Sequence, residues 1–423
     1  VNPVTITAVS IFLTLAFAPV MQSIINLYRN AYGGLSRDIW LLALTQFINR
    51  SGTMVIFFLS IYLQKELNFT YAQTGVVMAM FGAGSLLGVF VGGRLNDKLG
   101  YYPVMLYTLL SGGVMFFVVS MMESYAMLCV GMFLISALGE GFRPANMAAI
   151  SYYSTPQNYT RAISLNRLAI NLGFSFGPAL GGILAASNYK LIFWADSITC
   201  IGAAAIVFFF LENKHHSSLA KPEKHEETKH TSPFNDKIFL MFLPIVTLYA
   251  ISFFQFFTTM QLYYTNAEHL SETQTGLIMG LNGLLVAGIE MILVFKLEKR
   301  WSPFNFIALG ALMLALCYIM LLFVSGIWWL LVIMIVISFS EMFAMPFMNT
   351  FMNSRSTGAN KGQFASLYIM AWSVAQISVP IIATQTMEHY GYNALWILLA
   401  GVAMLVFGGV KMLEKMNARS INP

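Results

Sequence analysis

The chain has 423 residues, 58% of them hydrophobic and only 10% charged, with a mean hydropathy of +0.70. A soluble domain carries about 25% charged residues, so water is not the principal solvent of this chain. The net charge of +5 comes from basic residues that lie for the most part in the segments between spans, which argues against nucleic-acid binding. In hydrocarbon every backbone polar group needs an internal partner, leaving helices or closed barrels. Barrel strands alternate apolar and polar residues; here the apolar runs are continuous, as at 327–339, and predict helices of roughly 20 residues. Cys129, Cys200 and Cys317 lie inside such runs without metal-ligand spacing and read as packing residues.

In chain order, residues 1–35 form an N-terminal extension whose apolar part, 4–20, lacks the positive n-region of a signal peptide. It reads as an extra span, an interfacial helix or, since Met21 can serve as a start, a non-native extension. An N-terminal bundle of six helices, 36–212, follows, with spans near 39–64, 72–93, 103–122, 126–148, 162–186 and 189–212. Residues 213–237 are dense in Lys, Glu and His. Their mixed charge cannot build a core, so His215, His216, His225 and His230 read as part of a solvated cytoplasmic linker rather than a metal site. A second six-helix bundle, 238–415, has spans near 238–264, 273–296, 303–324, 327–350, 363–387 and 391–413, and 416–423 is a tail. Of the 23 Lys and Arg, eighteen fall on one side, two (Lys65 and Lys190) on the other, and Arg50, Arg143 and Arg167 lie within or at the edge of spans. The positive-inside bias places both ends of the twelve-span body in the cytoplasm.

The halves repeat. Gln73-Thr74-Gly75 opens the second span and Gln274-Thr275-Gly276 the eighth; Ser164-Leu165 with Pro178 matches Ser366-Leu367 with Pro380, and Trp194 matches Trp396. The offset is almost constant, which suits two bundles rocking about a site between them.

Between the second and third spans stands Gly93-Arg94-Leu95-Asn96-Asp97-Lys98-Leu99-Gly100. Its glycines allow a tight turn, and Asp97 can cap a helix start or meet a cation across the bundle. It resembles the loop signature of the major facilitator superfamily. That resemblance implies a twelve-span all-α membrane fold of two pseudo-symmetric six-helix bundles and a gating role for Gly93, Asp97, Lys98 and Gly100. Tyr101 and Tyr102 replace the family's two basic residues. In the fifth span Gly173, Gly177, Pro178, Gly181 and Gly182 stand as in the family's antiporter signature. Small residues at spacing four allow close helix packing, and proline interrupts the hydrogen-bond ladder. The fourth-span signature of proton-linked members would place an arginine where Ile135 stands.

A carboxylate at the bilayer centre costs about 2.5–3.5 kcal/mol on insertion scales, so Glu341, Glu140, Glu290 and Asp196 are proton-coupling candidates. Glu341, five residues before Pro346 in the tenth span, resembles an acidic residue of some multidrug antiporters. Glu140 occupies nearly the equivalent place in the fourth span, where it is either a proton site or the helix partner of Arg143. Arg50 faces a carboxylate or an anionic substrate group, with Glu290 and Asp196 as possible partners. Asn166, Arg167 and Asn171 line the cavity or bond helix to helix. No phosphate loop, metalloprotease pattern or nucleophile elbow is present, so no enzyme, cofactor or metal is expected. The partners expected are a small-molecule substrate, protons and the lipid bilayer, for a monomer in a bacterial inner membrane. The resemblance favours a proton-coupled antiporter exporting amphipathic or cationic compounds. A symporter or facilitator for a nutrient, peptide or lipid, and a non-transporting protein with a degenerate fold, are the alternatives.

Overall fold

The computed structural model describes residues 33–155, 157–211, 232–297, 300–356 and 360–421. The apolar stretch 4–20 and the four histidines of the expected linker lie outside the described residues. Among the described residues there is no strand, and eleven helical segments are long and apolar enough to cross a membrane. The last, Gln363–Ala418, has 56 residues; at about 1.5 Å per residue it is far longer than a bilayer core of roughly 30 Å. Gly391, at φ 79° and ψ 177°, breaks it, and twelve crossing helices result.

We number them α1 (Arg37–Lys65), α2 (Tyr71–Leu99), α3 (Tyr101–Val119), α4 (Tyr125–Tyr153), α5 (Tyr159–Ser187), α6 (Lys190–Phe210), α7 (Lys237–Ala267), α8 (Glu272–Leu297), α9 (Pro303–Phe323), α10 (Ile327–Arg355), α11 (361–390) and α12 (392–421). The repeated Gln-Thr-Gly has a physical explanation. The Thr70 hydroxyl accepts from Gln73 N–H at 3.2 Å while the Gln73 amide oxygen accepts from Thr70 N–H at 3.0 Å; Ser271 and Gln274 repeat this at 3.2 and 3.0 Å. Both helices therefore start on a reciprocal capping box.

The two bundles repeat their internal neighbours: α1 packs on α5 as α7 does on α11, α2 on α4 as α8 on α10, and α3 on α6 as α9 on α12. Two seams join them, α5 with α8 and α2 with α11. A Cβ at Gly75 would lie 2.8 Å from the Pro380 carbonyl oxygen, and one at Gly276 would press on the Pro178 carbonyl and lie 3.0 Å from Gly182 Cα. The repeated glycine thus lets the backbones of the two bundles touch. At the end holding the α1–α2, α5–α6 and α7–α8 connections, polar bridges add to this joint. Lys65 Nζ and the Tyr189 hydroxyl reach Glu272 at 2.7 and 2.8 Å, Asn266 donates to Gln64 at 3.1 Å, and Ala72 N–H donates to Glu388 at 2.9 Å. This is the joined end; the opposite one is the basic end.

One expectation needs correction. The segment from Gly93 to Leu99 is not a turn but the last turns of α2, and the turn to α3 is Gly100 alone, at φ 85°. Asp97 and Lys98 are exposed there; Asp97 caps no helix start.

Candidate functional site

Two helices of the first bundle break at mid-span. Arg50 ends the first piece of α1, Arg37–Ser51, and the chain restarts as Met54–Lys65. Restarting a helix inside hydrocarbon leaves N–H groups without partners, and Asp196 of α6 supplies them. Its two carboxylate oxygens accept from Met54 N–H at 3.1 Å and Val55 N–H at 2.9 Å. The second break, in α4, falls between Tyr125–Gly139 and Phe142–Tyr153, where Gly139 and Gly141 flank Glu140 and weaken the helix.

These breaks bring Arg50 to Glu140 at 3.5 Å, and Arg143 to the other oxygen of Glu140 at 3.4 Å. The Arg50 and Glu140 side chains are 11% and 16% exposed, that of Arg143 58%. The sequence-based partners of Arg50, Glu290 and Asp196, are therefore replaced by Glu140. Glu140 has both the helix partner expected for it and a second arginine from another helix. The glycines of the antiporter-like motif hold α5 against the α1 break. A Cβ at Gly173 would stand 2.5 Å from Arg50 Cβ, at Gly177 3.1 Å from Ser51 O, and at Gly181 3.0 Å from Met54 Cβ. Gly182 instead faces α8, 3.1 Å from Gly276 Cα by the same measure, and Pro178 sits inside an unbroken α5.

The second group of charges lies on the α5–α8 seam and in the second bundle. Arg167 pairs with Glu290, and Asn171 donates to the same carboxylate at 3.4 Å. Glu341 of α10 accepts from the Asn282 amide at 3.0 Å, and that amide also donates to Ser338 at 3.1 Å. Among the described residues no cation lies within ion-pair distance of Glu341. Asn166 bonds helix to helix: the buried Asn146 amide donates to it at 2.9 Å and to Gln46 at 3.0 Å.

Sequence reasoning missed an aromatic group between the bundles. Phe57 of α1 meets Phe256 and Phe257 of α7 at ring distances of 5.7 and 5.1 Å and Phe174 of α5 meets Phe257 at 6.1 Å, while within the second bundle Trp372 of α11 meets Phe254 at 5.6 Å. The run of phenylalanines at 253–257 was the available signal, but lipid-facing phenylalanine looks the same in sequence. The helix α7 is itself irregular there, with pieces Lys237–Phe253, Gln255–Thr258 and Met260–Leu262 before a π-helical Tyr263–Ala267. Gln255 and Gln261 are fully buried within it.

At the basic end, Arg355 grips Asp236 with two hydrogen bonds of 2.7 and 2.8 Å, while Asp236 caps α7 through Ile238 and Phe239 N–H. Burial pushes the Asp236 carboxyl upward, but the Arg355 guanidinium and the two N–H donors outweigh it and hold the group below the ordinary aspartate value.

A family model described as Major Facilitator Superfamily matches residues 40–380. The chain is similar to the quinolone resistance protein NorA of Staphylococcus aureus (strain Mu50 / ATCC 700699), 24% identical over 360 residues, covering 84% of this chain and 91% of NorA. It is also similar to an uncharacterized MFS-type transporter, YqjV, of Bacillus subtilis (strain 168), 24% identical over 332 residues, 77% of this chain and 80% of YqjV. Among solved structures, a POT family transporter in complex with 5-aminolevulinic acid superposes with a TM-score of 0.78 at 14% identity, over 93% of this chain and 98% of the other. The nucleoside transporter NupG superposes at 0.73 and 14%, over 90% and 100%. At such identities the structures speak to the fold.

Proposed function

The chain belongs to the Major Facilitator Superfamily, and we propose that this multi-pass membrane transporter is a proton-coupled antiporter exporting small amphipathic or cationic compounds. The observation that carries the reading is Glu341: a carboxylate in the middle of a spanning helix whose hydrogen-bond donor is the neutral amide of Asn282. A neutral donor does not cancel a charge in hydrocarbon, so taking up a proton relieves the cost that burial imposes. Glu140 and Glu290 already have arginines and need no proton for that purpose. Substrate enters between the bundles, against Phe57, Phe174, Phe257 and Trp372, which suit flat apolar compounds. Resemblance to a quinolone resistance protein supports export.

In the proposed cycle the bundles 36–212 and 238–415 rock about this space. The joined end faces outward and both ends of the twelve-span body face the cytoplasm of a bacterial inner membrane. Asp97 and Lys98 latch the basic end when the joined end opens. Proton and substrate bias the same two-state element in opposite senses, which is what couples their fluxes. The test is Glu341→Gln in proteoliposomes. The variant is expected to fold and to equilibrate substrate passively but not to accumulate it on a pH gradient; uphill transport by the variant would remove Glu341 from the mechanism. A symporter would move substrate in the direction of the proton gradient instead of against it.

A further inference from the structure

Three residues on one face of α6 clamp the α1 break. Asp196 holds the N–H groups of Met54 and Val55, Thr199 packs where a Cβ on Gly52 would stand, and Cys200 accepts from the Asn49 amide at 3.6 Å. Beside them is a cavity of about 60 Å³ whose lining includes Arg50, Thr53, Ser136, Glu140, Asp196 and Cys200, large enough to admit water. Asp196 is fully buried and, among the described residues, has no cation within ion-pair distance.

The groups facing it are few. Arg50 on α1 is committed to Glu140 on α4, Glu140 is shared with Arg143, and Cys200 is the titratable neighbour on α6 itself. The walls that α2 and α3 give the cavity, Phe81, Thr108, Leu109, Gly112 and Phe116, hold no ionisable group. Two opposed influences therefore act on the Asp196 carboxyl. The positive end of a helix and two charge-assisted N–H bonds favour the anion, while burial without a counter-ion favours the neutral acid.

We propose that Asp196 is a proton-binding site of the transporter separate from Glu341, and that its proton loosens the clamp on the α1 break. The bound proton turns one carboxylate oxygen into a hydroxyl, which accepts poorly. One of the two N–H bonds to the restart of α1 is thereby weakened, and the new O–H is free to donate to a cavity group or water. Because Gly173, Gly177 and Gly181 pack on this same break, loosening it reaches α5 and hence the α5–α8 seam.

The site is tested by infrared difference spectra of the full chain in nanodiscs as pH is stepped across neutrality, in a Glu341→Gln background so that Glu341 contributes nothing. A protonated-carboxyl C=O band is expected to rise and fall with pH and to vanish when Asp196→Asn is added. A band unchanged by Asp196→Asn, or no band at all, overturns the proposal. Should that variant not fold, the Glu341→Gln protein labelled with carboxyl-¹³C aspartate decides the matter. Asp196 is the only buried aspartate among the described residues, so the band must shift on labelling; a band that stays put belongs to another residue type and overturns the assignment. Uphill transport by Glu341→Gln would refute the role given to Glu341 without touching this result.

Discussion

Gly276→Ala isolates the joint between the bundles. The added methyl would collide with the Pro178 carbonyl and lie 3.0 Å from Gly182 Cα, both backbone of α5, so no side chain can swing away. Overpacking of this kind costs about 1–3 kcal/mol. Alanine also gains about 1 kcal/mol over glycine in a helix, but α8 is helical whether the joined end is shut or open, so that gain cancels between the two states. The collision exists only in the shut state. The net expectation is a shift of about 5- to 150-fold towards opening of the joined end. Spin labels at the exposed positions Glu66 and Ala267, on either side of the joint, would report it as growth of a longer distance in double electron–electron resonance. Gly75→Ala, facing Pro380 and Thr384, should act in the same sense through the other seam. Gly288→Ala, whose Cβ would meet nothing within 4 Å, should leave the distances alone. Unchanged distances in both Gly276→Ala and Gly75→Ala would refute the claim that these glycines set the closed joint.

The same labels separate the polar bridges. Lys65 is 39% exposed, so Lys65→Met should cost the shut state less than about 1 kcal/mol. Tyr189→Phe removes a hydrogen bond to a carboxylate, worth about 1.5–3 kcal/mol, and should open the joint more; the reverse order would contradict this ranking. At the basic end, the Asp236 carboxyl is held below its unfolded value of about 3.9. Its stabilisation is complete above that value and is lost as pH falls through the lower folded value. Asp236→Asn should therefore lower the thermal midpoint at neutral pH and flatten its decline in acid, read by thermal unfolding in detergent. Within the first bundle, Arg50→Met leaves Glu140 buried with only the exposed Arg143 and should cost about 3–5 kcal/mol. Arg50→Met with Glu140→Met should recover most of that in the same assay, and a double variant no better than the single would mean that the pair is not what the substitution breaks.

Much of the architecture was legible because it rests on local chemistry. Apolar length predicts the spans, and Gln73 and Gln274 repeat because each closes a capping box. The glycine two positions later repeats because a backbone from the other bundle passes there. The segment Gly93–Gly100 misled because glycines suggest a turn, yet α2 carries on through Gly93 and its flanking residues without proline to stop it. The partner of Arg50 was not legible. It depends on two helix breaks far apart in sequence, one at Gly52–Thr53 packed by α5 and α6 and one at Glu140–Gly141 where glycines weaken α4, and only the fold brings the two together. The aromatic group failed for a different reason: phenylalanine facing lipid and phenylalanine packed between the bundles obey the same hydropathy.

Repetition also shows where the two bundles differ. Glu140 and Glu341 stand at matching places in α4 and α10, yet among the described residues only the first has an arginine within ion-pair distance. The positions that match Arg50 at the two repeat offsets are Ile251 and Ser252, neither of which can be a counter-ion. The helices differ accordingly: α4 breaks between Gly139 and Gly141, whereas α10 runs unbroken from Ile327 to Arg355 through Glu341. A carboxylate held by two arginines at a break is costly to discharge, because neutralising it would leave buried Arg50 without a partner. A carboxylate held by one amide on a continuous helix can gain or lose a proton while the helix stays intact. At matching places in the repeat the first bundle thus holds a carboxylate between two arginines and the second a carboxylate on a neutral amide, and the proton-coupling role proposed for Glu341 rests on that difference.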